Sequence, residues 1–425
     1  MYAMDIANIA LPLRTLRSSF FRAEPGDFRH SKNTMTDLVS TIVPTPLRRT
    51  ALHATHLAHK AKMVDFGGWD MPVQYEGLVA EHMAVRTGVG VFDVSHMGDI
   101  QLRGPNSLAA VQKLLMNDAS KLQIGQAHYS AMLYPNGTFV DDVVLHKLGE
   151  NDYLIVINLG TREKDVQWVR KTIGGMGGLH VTDVSDYYTQ IAIQGPKAAA
   201  TLQKLTGVDL APIKNYWFTW GIVCGCHNVL IARTGYTGED GFEIYIPADE
   251  PTSARVWGEV LAAGAEFGAV PCGLGARNTL RLESAMALYG HEISDTINVF
   301  EAGLGRYCKL DKGPDFVGRE ALQAVQAEGG PARKLVGLEM VERGIGRDGY
   351  PVLSLTGEKI GEVTSGSPAP FLKKNIALAY VPVAYTEIGT EVAVEVRGQP
   401  VKAKVVPTPF YRRPKPTPAV TAPLS

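Results

Sequence analysis

Cysteine is scarce in this chain: four residues in 425, at positions 224, 226, 272 and 308. They form neither a C-x-x-C pair nor a dense framework, which excludes a disulfide scaffold and favours a reducing compartment. Cys224-Gly225-Cys226 falls in a strand-like run, with the thiols sharing a face and no second ligand pair, so no metal is expected. No apolar run approaches the roughly 20 residues that a membrane-spanning helix needs. Neither sign of charge is in excess, with 42 Lys plus Arg against 43 Asp plus Glu. Nothing global therefore draws the chain to nucleic acid or to an anionic membrane. A G-x-x-x-x-G-K-[ST] phosphate loop is also missing. Gly344 to Gly349 does match G-x-G-x-x-G, but Tyr350-Pro351 follows, so no helix opens there and a dinucleotide site is rejected.

What remains is an ordinary globular composition, 45% hydrophobic and 20% charged, in a chain long enough for two or three domains. Residues 1–45 carry scattered arginines (Arg14, Arg17, Arg22, Arg29) but also Asp5, Glu24, Asp27 and Asp37, which argues against a transit peptide. A disordered extension, or a true start at Met35, is the expectation. From 46 to 330, strands and helices alternate irregularly, which implies α+β packing rather than a regular βαβ array. Here 47–60 reads as a helix whose His53, His56 and His59 are solvated or capping, 62–75 as a loop, and 91–98 as one strand. From 331 to 412, six short β-type runs (334–340, 351–355, 360–364, 376–381, 391–396, 401–406) predict a small barrel or sandwich. The proline-rich end, 413–425, is expected to be disordered.

Three stretches carry candidate chemistry. In Tyr129–Val144, Asn136-Gly137 marks a hairpin, and strand alternation places Val140, Asp142, Val144 and His146 on one face. Asp141 then points the other way, so the two acids do not form a carboxylate pair. An acid among apolar neighbours has a raised pKa suited to proton handling; a solvated strand acid is the alternative. In Arg233–Pro247, four glycines close a loop, and Glu243 and Tyr245 share a face opposite Phe242, Ile244 and Ile246. That suits a ligand pocket or simply an amphipathic strand. In Pro271–Glu292, a helix over 275–288 puts Arg277 in its first turn, where a cation gains nothing from the helix dipole. Either an outside partner such as Glu243 or a ligand, or a surface position, accounts for it.

Taken in order, K-M-V-D-F-G-G-W-D-M-P, V-F-D-V-S-H-M-G, H-Y-S-A-M-L, V-D-D-V-V, I-Q-G-P, R-T-G-Y-T-G-E-D-G-F-E, G-L-G-A-R-N-T-L-R-L-E, L-Y-G-H-E-I, T-S-G-S-P-A-P and P-F-Y-R-R resemble the T-protein aminomethyltransferases of the glycine cleavage system. The resemblance runs from about Thr45 to Arg412. It implies a three-domain cloverleaf of α+β folate-binding domains with a C-terminal β-barrel. It implies transfer of an aminomethyl group from the dihydrolipoyl arm of a carrier (H) protein to tetrahydrofolate, giving 5,10-methylenetetrahydrofolate and ammonia. By the same resemblance Asp142 is the catalytic carboxylate, and Glu243 and Arg277 hold the pterin. Tyr129, Asn158, Tyr216, Met97 and Val144 line the folate channel, and Arg412 is the candidate for the folate tail. His146 and Met286 depart from tyrosines that some relatives place at the rim. The compartment implied is the cytoplasm, or the mitochondrion for a eukaryotic source. Two other readings share the fold: a folate-binding relative that supports iron–sulfur assembly, which usually carries a K-G-C-type motif where this chain has L-Y-G-H-E-I, and a folate-dependent demethylase.

Overall fold

The computed structural model describes residues 46–414. The expected N-terminal extension lies outside the described residues, as does the tail from 415 onward. The chain opens with α1 (His53–Ala58) and a hairpin of β1 (Lys62–Phe66) and β2 (Trp69–Gln74), then α2 (Leu78–Thr87), β3 (Gly90–Asp93) and β4 (Gly98–Arg103). Next come α3 (Ser107–Leu114), β5 (Ala127–Leu133), β6 (Phe139–Gly149), β7 (Asp152–Ile157), α4 (Arg162–Ile173) and β8 (His180–Asp183). The middle of the chain holds β9 (Tyr188–Gln194), α5 (Ala198–Gln203), β10 (Phe218–Val223), β11 (Cys226–Ala232), β12 (Gly241–Pro247), α6 (Glu250–Gly264), β13 (Val270–Pro271) and α7 (Leu274–Glu283). After a long irregular passage, α8 (Arg319–Ala327) precedes β14 (Arg333–Met340), β15 (Pro351–Leu353), β16 (Lys359–Ala369), β17 (Lys374–Pro382), β18 (Glu391–Val396) and β19 (Gln399–Val406).

The elements assemble into three units. One is a five-stranded sheet in the order β5-β6-β7-β4-β8, and another a six-stranded sheet in the order β10-β11-β12-β9-β3-β13. The last six strands close into a barrel, β14-β17-β16-β15-β18-β19. Each unit has its own core. Ile100, Val140, Val143, Leu145 and Ile155 pack under α3 and α4, and Ile191, Ile193, Phe242 and Ile244 pack under α5 and α6, the latter contributing Trp257 to the same core. Val336, Leu338, Val363, Ala379 and Val394 fill the barrel. Phe242, Ile244 and Ile246 face one core together, as their period of two requires. The six barrel runs match six strands, with β16 extending on through Ser365 to Ala369 because it pairs β17 along its length.

Three local expectations change. The helix over 47–60 shrinks to six residues, because Arg48 bridges to Trp69 instead. Its histidines are not all solvated: His53 Nε2 lies 2.8 Å from Asp70 and the buried His56 Nε2 2.9 Å from Asp93, while His59 Nδ1 contacts Thr55 O in its own helix. The stretch 62–75 is a β-hairpin rather than a loop, since Gly67 and Gly68 take the positive φ angles, +59° and +86°, that a tight turn needs. The strand expected over 91–98 is two strands in different sheets. It breaks after Asp93, whose carboxylate accepts the backbone N–H and the hydroxyl of Ser95 and so caps a turn. Val94–Met97 is therefore the first of two crossings between the sheets, the chain returning between β8 and β9.

The sheets meet along an apolar seam. Ala127, Leu154 and Val156 from the five-stranded sheet face Phe218, Leu230, Ala232 and Tyr245 from the six-stranded one, with Met97, Val144 and Tyr216 packed against them.

Candidate active site at the seam

β6 carries both acids of the hairpin. Its register with β5 slips at Val140, since Met132 faces Asp141 while Leu133 faces Phe139. This bulge puts Val140 in the same core as Val143 and Leu145, away from Asp142, and so breaks the alternation assumed from sequence. Tyr129 OH donates to Asp142 Oδ2 at 3.0 Å, and Asn158 Nδ2 donates to Asp142 Oδ1 at 2.7 Å. The same Asn158 nitrogen donates to Asp141 Oδ1 at 2.9 Å. The acids make no direct pair but are joined through one amide, a link the strand pattern did not show. Burial, and then the charge of Asp141, push the Asp142 carboxyl up to about 7, against the pull of its two hydrogen bonds.

Across the seam, Glu243 pairs in register with Ala232 and Ala192 and accepts a hydrogen bond from Thr234 Oγ1. Burial raises its carboxyl, with Thr234 and the nearby Arg277 opposing the rise. Arg277 sits on the first turns of α7 with no hydrogen bond or ion pair among the described residues; its guanidinium lies 4.7 Å over the Tyr236 ring. α7 runs Leu274–Glu283, shorter than the 275–288 expected, because Ala285 turns the chain with φ +49°. Arg281, which the sequence puts on the same side, belongs to the frame instead: it donates to Glu292 and Ser365 at 2.8 Å each.

The loop 233–240 is held rigid around this pair. Arg233 clamps Asp240 with two hydrogen bonds, Thr237 Oγ1 donates to Gln194, and Ser284 Oγ donates to Thr237 O. Gly238 is needed where it is: its φ is +81°, and a Cβ there would lie 2.0 Å from Ser284 Oγ. The C-terminal segment returns to this loop. Tyr411 lies under Arg86, 3.9 Å from the guanidinium, and Arg413 pairs with Asp240 at 3.2 Å.

Eight sequence-predicted residues come together here: Met97, Tyr129, Asp142, Val144, Asn158, Tyr216, Glu243 and Arg277. Each keeps intermediate exposure while neighbours such as His96, Asp141, Val143, Phe242 and Ala276 are buried, as in the lining of a concavity. Arg412 does not join them; it is exposed, and among the described residues its side chain donates only to Thr408 O, at 3.4 Å. His146 lies behind the lining, against Phe218 and Tyr245, with neither ring nitrogen hydrogen-bonded among the described residues and its pKa pushed down to about 4 by burial. Sequence reasoning missed Tyr236, Thr234, His96 and Tyr307. The first two lie in the glycine-rich loop already singled out, and His96 is buried in the crossing turn, its pKa pushed down to about 3 by burial and by Arg277. Tyr307, its ring tilted against that of Tyr129 at 4.8 Å, sits in an irregular passage that gives no sequence signal. Two surface clefts, of about 650 and 300 Å³ around Thr206 and Ile213, share none of these residues.

Chemically, the seam presents a carboxylate, an unpaired guanidinium and a perturbed acid between apolar and tyrosine walls. That suits a flat, hydrogen-bonding ring and a reaction that develops positive charge. Residues 52–312 match the family described as GCVT N-terminal domain, and residues 333–412 match the glycine cleavage T-protein C-terminal barrel domain. The aminomethyltransferase of Acidobacterium capsulatum is 73% identical over 377 residues, covering 89% of this chain and 99% of that protein. That of Koribacter versatilis is 65% identical, covering 88% and 98%. The solved structure of the glycine cleavage system aminomethyltransferase T from Bartonella henselae superimposes with a TM-score of 0.79 at 32% identity, covering 86% of this chain and 98% of that one. The chain belongs to the T-protein aminomethyltransferase family of the glycine cleavage system.

Proposed function

We infer that this enzyme moves the one-carbon unit of an aminomethyl group from the dihydrolipoyl arm of a carrier (H) protein to tetrahydrofolate, releasing ammonia. The observation that carries the reading is the trio at the seam: Asp142 with its raised carboxyl, and Arg277 and Glu243 across from it. The residues fit the folate. A pterin edge offers N–H donors that Glu243 can accept and ring acceptors that the free Arg277 guanidinium can satisfy. Tyr129, Tyr216, Met97 and Val144 supply the apolar walls. When bound, tetrahydrofolate supplies the amine that takes up the carbon. Asp142, fixed by Tyr129 and Asn158, orients that amine and stabilises the positive charge that develops beside it. Its raised pKa lets it accept and return a proton near neutrality. Bacterial relatives favour the cytoplasmic alternative for its location.

The test is product formation from tetrahydrofolate and an aminomethyl-loaded lipoyl carrier. Methylenetetrahydrofolate and ammonia, each dependent on both substrates, are expected. Folate binding without product would turn the reading to the non-transferring or demethylating relatives.

A further inference from the structure

The irregular passage between α7 and α8 packs against β5. Its turn Gly305–Tyr307 is fixed there because the next residue, Cys308, is buried in one core with Ala131 and Leu133 of β5. Tyr307 thereby meets Tyr129, with ring centres 4.8 Å apart, and Tyr129 OH reaches Asp142 at 3.0 Å. Arg306 folds back over the Tyr307 ring, its guanidinium 4.5 Å from the ring centre, and donates to Tyr307 OH at 2.6 Å. Lys309 Nζ donates to Arg306 O at 2.7 Å, which brings a second cation to the same turn. Among the described residues neither cation has a carboxylate within ion-pair distance. Arg306 is exposed, yet a hydrogen bond and a cation–π contact hold it in place, with further N–H donors left over.

We propose that Arg306, with Lys309 beside it, binds the glutamate carboxylates of the folate, and that Tyr129 and Tyr307 pack against its aminobenzoyl ring. The inference rests on the folate reading above. Along the site the groups follow the order of that molecule's parts. Arg277 and Glu243 suit the pterin, Asp142 the reacting amine, the two tyrosine rings an aromatic ring, and Arg306 an anion at the far end. A planar guanidinium matches a carboxylate through paired N–H donors, and its contact with Tyr307 reduces the freedom it must give up on binding. Arg412, the candidate from sequence for this end of the ligand, is turned to Thr408 O instead. Arg306 thus sets the preference for a folate with its charged tail over a bare pterin, without touching the reacting atoms.

The test is a binding titration of the full chain at low ionic strength. The probes are tetrahydrofolate and its dimethyl ester, which differs only in having both carboxylates uncharged. The unmodified chain is expected to bind tetrahydrofolate more tightly by about three- to fivefold, the scale of an ion pair at an accessible site. Added salt should shrink that difference. Arg306→Gln should abolish it by weakening tetrahydrofolate alone, whereas Arg306→Lys, which keeps the charge, should retain part of it. In turnover, Arg306→Gln should raise the KM for tetrahydrofolate by the same factor and leave kcat within about twofold. A preference that persists in Arg306→Gln overturns the proposal and leaves the folate reading intact. Equal weakening of both probes also overturns it, since Arg306 would then only prop Tyr307. If the unmodified chain binds neither probe, the folate reading falls and the subsite falls with it.

Discussion

At the scale of single residues, Asp142 has the most to lose. Asp142→Asn keeps the shape of the carboxylate but neither its charge nor its proton exchange, so turnover is expected to fall by about 10²- to 10⁴-fold. Folate binding, measured by fluorescence titration, should change little. The same variant reports on stability. The Asp142 carboxyl is raised from 3.8 to about 7, so the folded chain holds a proton that the unfolded chain releases between these values. Stabilisation from this group is full at low pH and is lost as pH rises through the folded value. Thermal melts should therefore show the unmodified chain weakening against Asp142→Asn between about pH 4 and 7, by roughly 1–4 kcal/mol. Arg277→Ala removes the only free guanidinium of the trio and is expected to weaken folate binding by about 1–3 kcal/mol. An unchanged titration would remove Arg277 from the site.

Much of this residue-level picture was legible in sequence, where a simple period held. β12 kept its alternation, so Glu243 emerged on the ligand side of an aliphatic strand. β6 did not, because the bulge at Val140 is set by pairing with β5 and leaves no mark in composition. The bridging of Asp141 and Asp142 was hidden for a second reason: Asn158, which joins them, lies at the end of another strand.

At the scale of elements, α7 ties the pocket to the barrel. Its Arg281 is buried between Glu292 and Ser365 on the barrel side, while Arg277, one turn earlier, faces the pocket. Arg281→Ala would leave Glu292 buried without its cation and is expected to cost about 3–5 kcal/mol in a thermal or denaturant melt. Gly238→Ala should cost roughly 1–3 kcal/mol, from a left-handed backbone together with the clash against Ser284. It should also weaken folate binding, since Tyr236 lies two residues away. The hairpin at 62–74 shows why turns and helices misread each other here. Two adjacent glycines punctuate a loop as readily as a two-residue turn, and only pairing decides between them.

For the whole molecule, the candidate site lies where two separately cored sheets meet, and the chain crosses between them at Val94–Met97 and again between β8 and β9. A ligand held by both sheets stabilises their junction. Folate at about 100 times its Kd should therefore raise stability by about 2.7 kcal/mol, visible as a higher Tm. Arg277→Ala should lose most of that rise at the same folate concentration. The six-stranded C-terminal unit was readable from the strand spacing, whereas the division of the rest into two sheets came from the family resemblance; the seam was not readable, because its residues come from 97 to 277 and lie in different sheets.

One consequence concerns synthesis. Tyr411 and Arg413 brace the loop that carries Tyr236 and Thr234, yet in chain order they follow every residue of the pocket. On the ribosome, both sheets and most of the barrel emerge before that brace exists. The nascent chain thus presents that loop unbraced until residues 411–413 have emerged.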